Sequence, residues 1–339
     1  MRPTRTDVAK LAGVSTATVS NVLNRPDIVT EETAERVRAA IKQLGYRPDM
    51  IARSLSTKRT MQIGIVLEDM LNPYFGAIVK EFESAANEQN YFVNVCTGLN
   101  RLDNYLDDFI TRGLEGIFIT ALPYKFHVEK LYNLVEKGIK IITSGNINAD
   151  SRLVSSIEND YIAAMHDVIE HLYNLGHINI AYLSGLGREL TYDLRCNGYR
   201  KSLEEFNLPY RDSLLIDGEY PYSTNIKAGY DCAMRLMGTG EKFTAVICGN
   251  DLMALGAMKA FQEKGFKIPE DISVVGFDGI EIGRYWEPAL TTMSVDKTKF
   301  GRKAFELLHS NILTGKTDQF ISKLTLWEGG STAVARKQS

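Results

Sequence analysis

Cysteine is sparse in this 339-residue chain: Cys96, Cys196, Cys232 and Cys248 lie far apart and form no C-x-x-C pair. That pattern excludes a disulfide framework and fits reduced thiols packed as small apolar side chains. There are five histidines, and His166 and His171, five residues apart, sit about 140° round a helix from one another, which is not a metal-ligand spacing. No apolar run approaches the ~18 residues of a membrane span, and the opening MRPTRTDVAK lacks the apolar core of a signal peptide. A soluble, cytoplasmic protein without a membrane partner is expected. Catalytic motifs are missing too: no Walker lysine follows a glycine-rich loop, and there is no G-x-S-x-G elbow. GLGREL at 185–190 lacks the third glycine of a dinucleotide fingerprint and reads as a turn. No catalytic residue, metal ligand or cofactor is therefore expected, and the chain is not read as an enzyme.

What is present is an asymmetry. The length exceeds what one core fills, so more than one domain is expected. Residues 1–60 hold 11 Lys/Arg against 6 Asp/Glu, while the remainder holds 28 against 36. A small basic head on an acidic body suits a polyanion as the head's partner, although a solvated basic face gives the same count.

The head reads as three helices. Thr6 is a candidate cap for a helix with Val8, Leu11 and Ala12 inward and Gly13 as its left-handed end. Ser15 caps a second helix that buries Val19, Val22 and Leu23 and turns Thr16, Ala17, Ser20 and Asn21 outward. A third runs from Thr30 through Ala34, Val37, Ile41 and Leu44 to Gly45. Two short helices around a tight turn, braced by a third, form a helix-turn-helix, whose second helix fits the DNA major groove. Asn21 suits adenine, and Thr16 and Ala17 suit a thymine methyl. A three-helix core with an incidental polar face accounts for the same spacing.

The body alternates short apolar runs (QIGIVL, YFVNV, GIFIT, KIIT, NIAYL, SLLI, AVIC, ISVVG) with helix-length amphipathic segments. That alternation specifies βαβ units and parallel sheets, with strands enough for two. A break falls near 155–160, and the late segment from Thr291 is placed to cross back to the first sheet. In open parallel sheets ligands bind beyond the carboxyl ends of strands. The residues there that suit a polyhydroxylated ligand are Asn72, Tyr74, Phe75, Arg195, Tyr220, Asn250, Asp251 and Asp278. Each has a plainer reading. Asp251 and Asp278 suit caps, Arg195 suits a surface helix, and Tyr74 and Phe75 suit the core, with at most one of them facing a ligand.

The run TDVAKLAGVSTATVSNVLN, then VTEETAERVRAAIKQLGYRP, then ARSL resembles the N-terminal module of the LacI/GalR family of transcriptional regulators. NPYF, GHINIAYLSG, RCNGYRKSL, GNDLMALGAM and GFDG extend that resemblance through the body. It implies a small all-α helix-turn-helix domain at 1–46 and a hinge at 47–60. An α/β two-subdomain, periplasmic-binding-protein-like (type I) fold with parallel sheets follows at 61–339. Its N-subdomain would comprise 61–157 and 293–320, and its C-subdomain 158–292 and 321–339.

The resemblance also implies base readout by Thr16, Ala17 and Asn21, with phosphates held by Thr6, Ser15, Ser20 and Asn24. An effector cleft would be lined by Phe75, Arg195, Tyr220, Asn250 and Asp278, with Asn72 and Tyr74 beside them. In such a hinge a helix folds on DNA and inserts a leucine into the minor groove; the matching residues are Leu55 and its neighbour Arg53. The implied partners are a pseudo-palindromic double-stranded operator, a sugar-like effector and a second copy of the chain. A sugar receptor for transport, or an α/β enzyme with a fused head, are the competing readings. Two departures stand out: SIENDYIAAM carries Glu158 and Ala163 where the family has a shorter acid and a glycine, and VDKTK replaces the family's Gln-Pro.

Overall fold

The computed structural model describes residues 3–47, 54, 57, 59–121, 126–145, 149–185, 193–219 and 223–336. They form two units, Met1–Met61 and Gln62–Ser339. Arg53, Leu55 and Tyr220 lie outside the described residues.

In the first unit, α1 spans Arg5–Ala12, α2 Thr16–Asn24 and α3 Glu31–Leu44. The cap of α1 is Thr4 rather than Thr6. Thr4 Oγ1 accepts from Asp7 N, and Asp7 Oδ2 accepts from Thr4 N at 2.8 Å, a reciprocal box that Asp7, three residues on, makes possible. Those bonds hold the Asp7 carboxyl below its usual range. Gly13 (φ 65°) ends α1 in the left-handed region, as expected. Ala9 is buried and Leu11 is exposed, a correction to the expected face. The core gathers Val8, Ala12, Val19, Val22, Ala34, Val37 and Tyr46. Arg36 of α3 fixes the turn between α1 and α2 by donating from Nη2 to Ala12 O at 2.9 Å.

The second unit contains two six-stranded sheets. In chain order its elements are β1 (Gln62–Leu67), α4 (Pro73–Glu88), β2 (Phe92–Thr97), α5 (Leu102–Thr111), β3 (Gly116–Ile119), α6 (Glu129–Glu136), β4 (Lys140–Thr143) and β5 (Ser155–Asn159). There follow α7 (Tyr161–Asn174), β6 (Ile180–Leu183), α8 (Leu194–Glu205), β7 (Leu215–Ile216), α9 (Ile226–Gly238), β8 (Ala245–Cys248), α10 (Asp251–Glu263) and β9 (Ser273–Asp278). The chain closes with α11 (Glu281–Arg284), β10 (Thr291–Ser294), α12 (Lys297–Thr314), β11 (Gln319–Ser322) and β12 (Thr325–Trp327).

The first sheet has the order β11-β5-β4-β3-β1-β2 and is parallel throughout; the second, β12-β10-β9-β8-β6-β7, is parallel except for β12, which runs against β10. Central strands such as Ala245–Cys248 are buried on both faces, which is why they read as unbroken apolar runs. The chain crosses between sheets at three places: after β5, after β10, and between β11 and β12. The second crossing carries α12 onto α4 and the back of β3 and β4. The expected boundaries shift accordingly. Glu158 and Asn159 remain in the first sheet because β5 pairs with β11 through Asn159, as do Ile321 and Ser322. Met293 and Ser294 remain in the second because β10 pairs with β9 as far as Asp278.

Candidate functional site

The outward face of α2 is built from its cap. Ser15 Oγ accepts from Thr18 N at 3.0 Å, while Val19 and Val22 are buried against α1 and α3. That orientation leaves Thr16 and Ala17 exposed and Ser20 and Asn21 half-buried. The first two carry short side chains, so a partner's surface can approach the helix closely. Thr6 is exposed in the first turn of α1. The Asn24 side chain lies outside the described residues. Ser15 was expected as a phosphate contact, and its oxygen already holds the end of α2.

In the second unit the carboxyl ends of the two sheets meet around Arg195. Asp193 caps α8, accepting from Arg195 N and Cys196 N, and its Oδ2 accepts from the buried Tyr182 hydroxyl at 3.2 Å. Arg195 thus lies in the first turn of α8, the helix that follows β6 in the chain, and its guanidinium lies 4.5 Å from the centre of the Tyr161 ring and 3.7 Å from Asp193. A cation over an aromatic face keeps N–H groups at its rim that can donate to a ligand. Tyr161 is placed by Asn159, the last residue of β5, whose Nδ2 donates to the Tyr161 hydroxyl at 3.1 Å and the Tyr74 hydroxyl at 3.0 Å. One amide therefore ties a first-sheet helix to the start of the second lobe.

Asp278 ends β9, is 4% exposed and has φ 106°. A non-glycine residue held in that region carries strain, which concentrates at functional sites. Burial raises its carboxyl to about 7, even though Arg195 and Lys297 oppose the shift. Glu68, just beyond β1, is raised by burial and by Asp69, with Arg195 opposing. The VDKTK departure has a structural job: Lys297 Nζ donates to the carbonyls of Asp278 (2.6 Å), Gly279 (2.9 Å) and Val295 (3.1 Å). It fastens the first turn of α12, which belongs to the first lobe, to the strand ends of the second. Glu158 accepts from Gly145 N at 2.9 and 3.1 Å, bracing the loop after β4.

Arg195, Asp278 and Tyr74 thus converge, whereas others are committed elsewhere. Asn72 caps α4 by accepting from Tyr74 N. Asn250 caps α10 by accepting from Met253 N, and it donates to Thr224 O, leaving a single N–H. Asp251 is fully buried, accepting from Thr292 Oγ1 at 2.6 Å and Ile280 N at 2.7 Å, so it is core. Phe75 packs edge-on to Tyr74 at 5.3 Å, and both are 8% exposed. Glu68, Asn159, Tyr161 and Asp193 escaped the sequence reading as site residues, and Lys297 stood out there only as part of VDKTK. Their common signal is position just beyond a strand or at a crossing.

Because the folded state keeps a proton on Asp278 up to about pH 7 while the ordinary value is 3.8, the ligand-free protein loses stability as pH rises through that window. Asp278→Asn is therefore expected to be more stable than the parent at pH 8, and the difference should shrink as pH falls towards 4. Urea unfolding at pH 8, 6 and 4.5 measures it; a difference independent of pH would contradict the assignment.

Residues 4–49 match the family described as bacterial regulatory proteins, lacI family, and residues 169–332 match a periplasmic binding protein-like domain. The HTH-type transcriptional repressor PurR of Mannheimia succiniciproducens is 36% identical over 312 residues, which cover 90% of this chain and 91% of that one. The chain belongs to the LacI family. The PurR of Histophilus somni strain 129Pt is 34% identical over the same length. Among solved structures, the lac repressor dimer bound to operator and the anti-inducer ONPF superposes with a TM-score of 0.83 at 26% identity, covering 98% of this chain and all of that one. A complex of the transcriptional regulator CelR with cellobiose gives 0.73 at 26% identity, covering 97% of this chain. As a LacI-family member the protein is a DNA-binding transcriptional repressor, with the two-lobed effector fold anticipated from its sequence. Its relatives are repressors and not enzymes, which removes the enzyme reading. Among the described residues no helix is long and apolar enough to cross a membrane.

Proposed function

We propose that this LacI-family repressor acts as a homodimer on a pseudo-palindromic operator and is controlled by a small, sugar-like effector held between its two lobes. The observation that carries the effector reading is the convergence of Arg195 and Asp278 over Tyr161 where the carboxyl ends of both sheets meet. A guanidinium and a carboxylate on one aromatic floor satisfy ring hydroxyls in both senses, as donor and as acceptor. The cellobiose bound by CelR supports the same class of ligand. For the dimer, support comes from the lac repressor's own assembly on operator. Apolar side chains left open on each lobe support it too, with Leu71 86% and Tyr285 82% exposed.

Asn159 and Lys297 sit at the crossings, so a ligand that draws the lobes together works through them. Coupling of this kind is worth ~1–3 kcal/mol, roughly 5- to 150-fold in operator affinity. In this reading Thr16, Ala17 and Asn21 face bases, with Thr6, Ser20 and Asn24 near phosphates. Arg53 and Leu55 act in the minor groove, where a wedge exchanges lost stacking for a bent duplex.

The test is retardation of a pseudo-palindromic sequence from the gene's own neighbourhood against random DNA at physiological salt. Preference for the former is expected, and equal binding overturns the proposal. Asn21→Ala should cost about 1–3 kcal/mol on the preferred sequence and little on random DNA. Leu55→Ala should remove operator bending and much of the specific affinity while leaving effector binding intact, as bending assays and calorimetry report.

A further inference from the structure

Where β9 ends, Asp278 (φ 106°) and Gly279 (φ 66°) lie one after the other in the left-handed region. Glycine takes that conformation freely, but Asp278 carries a Cβ, so the turn stands only because its surroundings over-determine it. Its neighbour has no slack to give, since a Cβ at Gly279 would collide with Ser294.

The amides of the turn are held from within the second lobe. Gly279 N donates to Thr292 Oγ1 at 3.3 Å, and Ile280 N donates to Asp251 Oδ2 at 2.7 Å. The carbonyls that follow the strained torsion are held differently. Asp278 O and Gly279 O both accept from Lys297 Nζ, at 2.6 and 2.9 Å, and Val295 O completes the cage at 3.1 Å. Asp278 O also accepts from Val295 N at a looser 3.3 Å. Bonds from an ammonium are roughly twice as strong as those between neutral groups, so Lys297 is the dominant restraint on these carbonyls.

That restraint comes from the other lobe. Lys297 opens α12, and α12 packs on α4, β3, β4 and β5 of the first lobe. The φ rotation at Asp278 sets the direction in which its Cβ, and hence its carboxyl, leaves the strand. A group anchored in one lobe therefore fixes the aim of a carboxyl belonging to the other.

We infer that Lys297 is a positioning residue for the cleft: it keeps Asp278 in the left-handed turn, and through α12 it makes the direction of that carboxyl depend on how the lobes are set. This rests on the reading of the cleft as the effector site and adds the means by which it is regulated. Lys297 need touch no ligand, because its three donors are taken up by carbonyls. An effector that draws the lobes together moves α12 and re-aims Asp278, which ties ligand grip to lobe angle.

A strain gauge at position 278 tests this in the full-length chain without any ligand. Asp278→Ala and Asp278→Gly both remove the carboxyl, and only alanine keeps the Cβ that the turn disfavours. With Lys297 intact, the glycine variant should exceed the alanine variant in folding equilibrium constant by at least fivefold, or ~1 kcal/mol, as urea unfolding reports. With Lys297→Met added to each, the turn relaxes, and glycine's advantage should vanish or reverse as at ordinary backbone positions. A lysine that merely packs would lower both proteins equally and leave the advantage in place; that result overturns the inference, as does a missing advantage with Lys297 intact. The dependence on the lobes has its own variant. A Cβ at Gly301, one turn along α12, would lie 2.6 Å from Ile78 O of α4, so Gly301→Ala shifts the helix on the first lobe and should shrink the advantage at 278. No change there overturns the coupling. A further measurement uses the unaltered protein: acetic anhydride should label Lys297 at least tenfold more slowly than the exposed Lys299 two residues on, read by mass spectrometry. Equal labelling overturns the inference whether or not the variants fold. No step uses effector or operator, so failure here leaves the proposed function standing. A protein that binds no small molecule between its lobes defeats that function and leaves the gauge unchanged.

Discussion

Arg195→Met is expected to weaken effector binding by at least about 100-fold, or ~2.7 kcal/mol. The side chain lies between Asp193, Asp278 and the Tyr161 ring, so its loss removes the cleft's described cationic donor and leaves buried carboxylates facing one another. Removing one partner of a buried charged pair typically costs 3–5 kcal/mol, chiefly through the charge left behind. Met keeps the length and apolar stem, so packing on Tyr161 is largely retained. Titration calorimetry with whichever sugar stabilises the parent protein measures the effect, and operator retardation without ligand reports that the head is untouched. Arg302→Met is the matched control. Arg302 pairs with Glu88 on the surface at 2.8 Å, where solvent screens such a bridge and its loss should leave effector binding unchanged. If Arg195→Met binds as the parent does, Arg195 is no more than a helix-end charge.

Gly256→Ala is expected to destabilise the second lobe by about 3 kcal/mol or more, against the ordinary rule that Ala stabilises a helix relative to Gly. Helices α9 and α10 cross backbone to backbone. A Cβ at Gly256 would lie 1.9 Å from Ile226 O, and one at Gly229 would lie 2.1 Å from Met253 O. Nothing flexible is in the way, so the helices themselves must separate. Gly238, at the end of α9, has nothing within 4 Å of a built Cβ, and Gly238→Ala should stabilise by up to ~1 kcal/mol. Opposite signs for the same substitution in touching helices would show that the close crossing, and not helix propensity, governs this layer. Urea unfolding of the three proteins decides it. Because α10 begins at Asp251, which holds Thr292 and the Ile280 amide, Gly256→Ala should also loosen the wall on which Asp278 stands.

The head and the buried strands were legible because their signals are local. The i, i+3 spacing of Val19 and Val22, the Ser15 cap, the left-handed Gly13 and the unbroken AVIC run each act within a few residues. Strands β5, β10, β11 and β12 were not read as strands. Ser155–Asn159, Thr291–Ser294, Gln319–Ser322 and Thr325–Trp327 carry hydroxyl or amide groups that break up an apolar run, and β5 and β11 pair with one another across a long stretch of chain. The misjudged cap had a similar cause: Thr4 and Thr6 are equally good oxygens, and Asp7 favours the one three residues before it. At the cleft, sequence could place residues after strands but not distinguish a cap from a ligand contact. Asn72, Asn250 and Asp251 spend their oxygens on backbone or core donors, a fact visible only once those donors are in place. Lys297 was noticed as an oddity of VDKTK, and its role needed the carbonyls of Asp278 and Gly279.

The three crossings between the sheets also bear on inheritance. Neither lobe corresponds to a continuous stretch of gene: the first draws β11 and α12 from beyond residue 296, and the second is interrupted by both. A deletion or recombination that kept 62–159 alone would strip its sheet of an edge strand and of the helix covering β3 and β4. The lobes can therefore be altered residue by residue but not exchanged as blocks, whereas the head, a continuous run ending at Met61, can be swapped whole. An operator preference is in that sense portable, and an effector preference has to evolve in place.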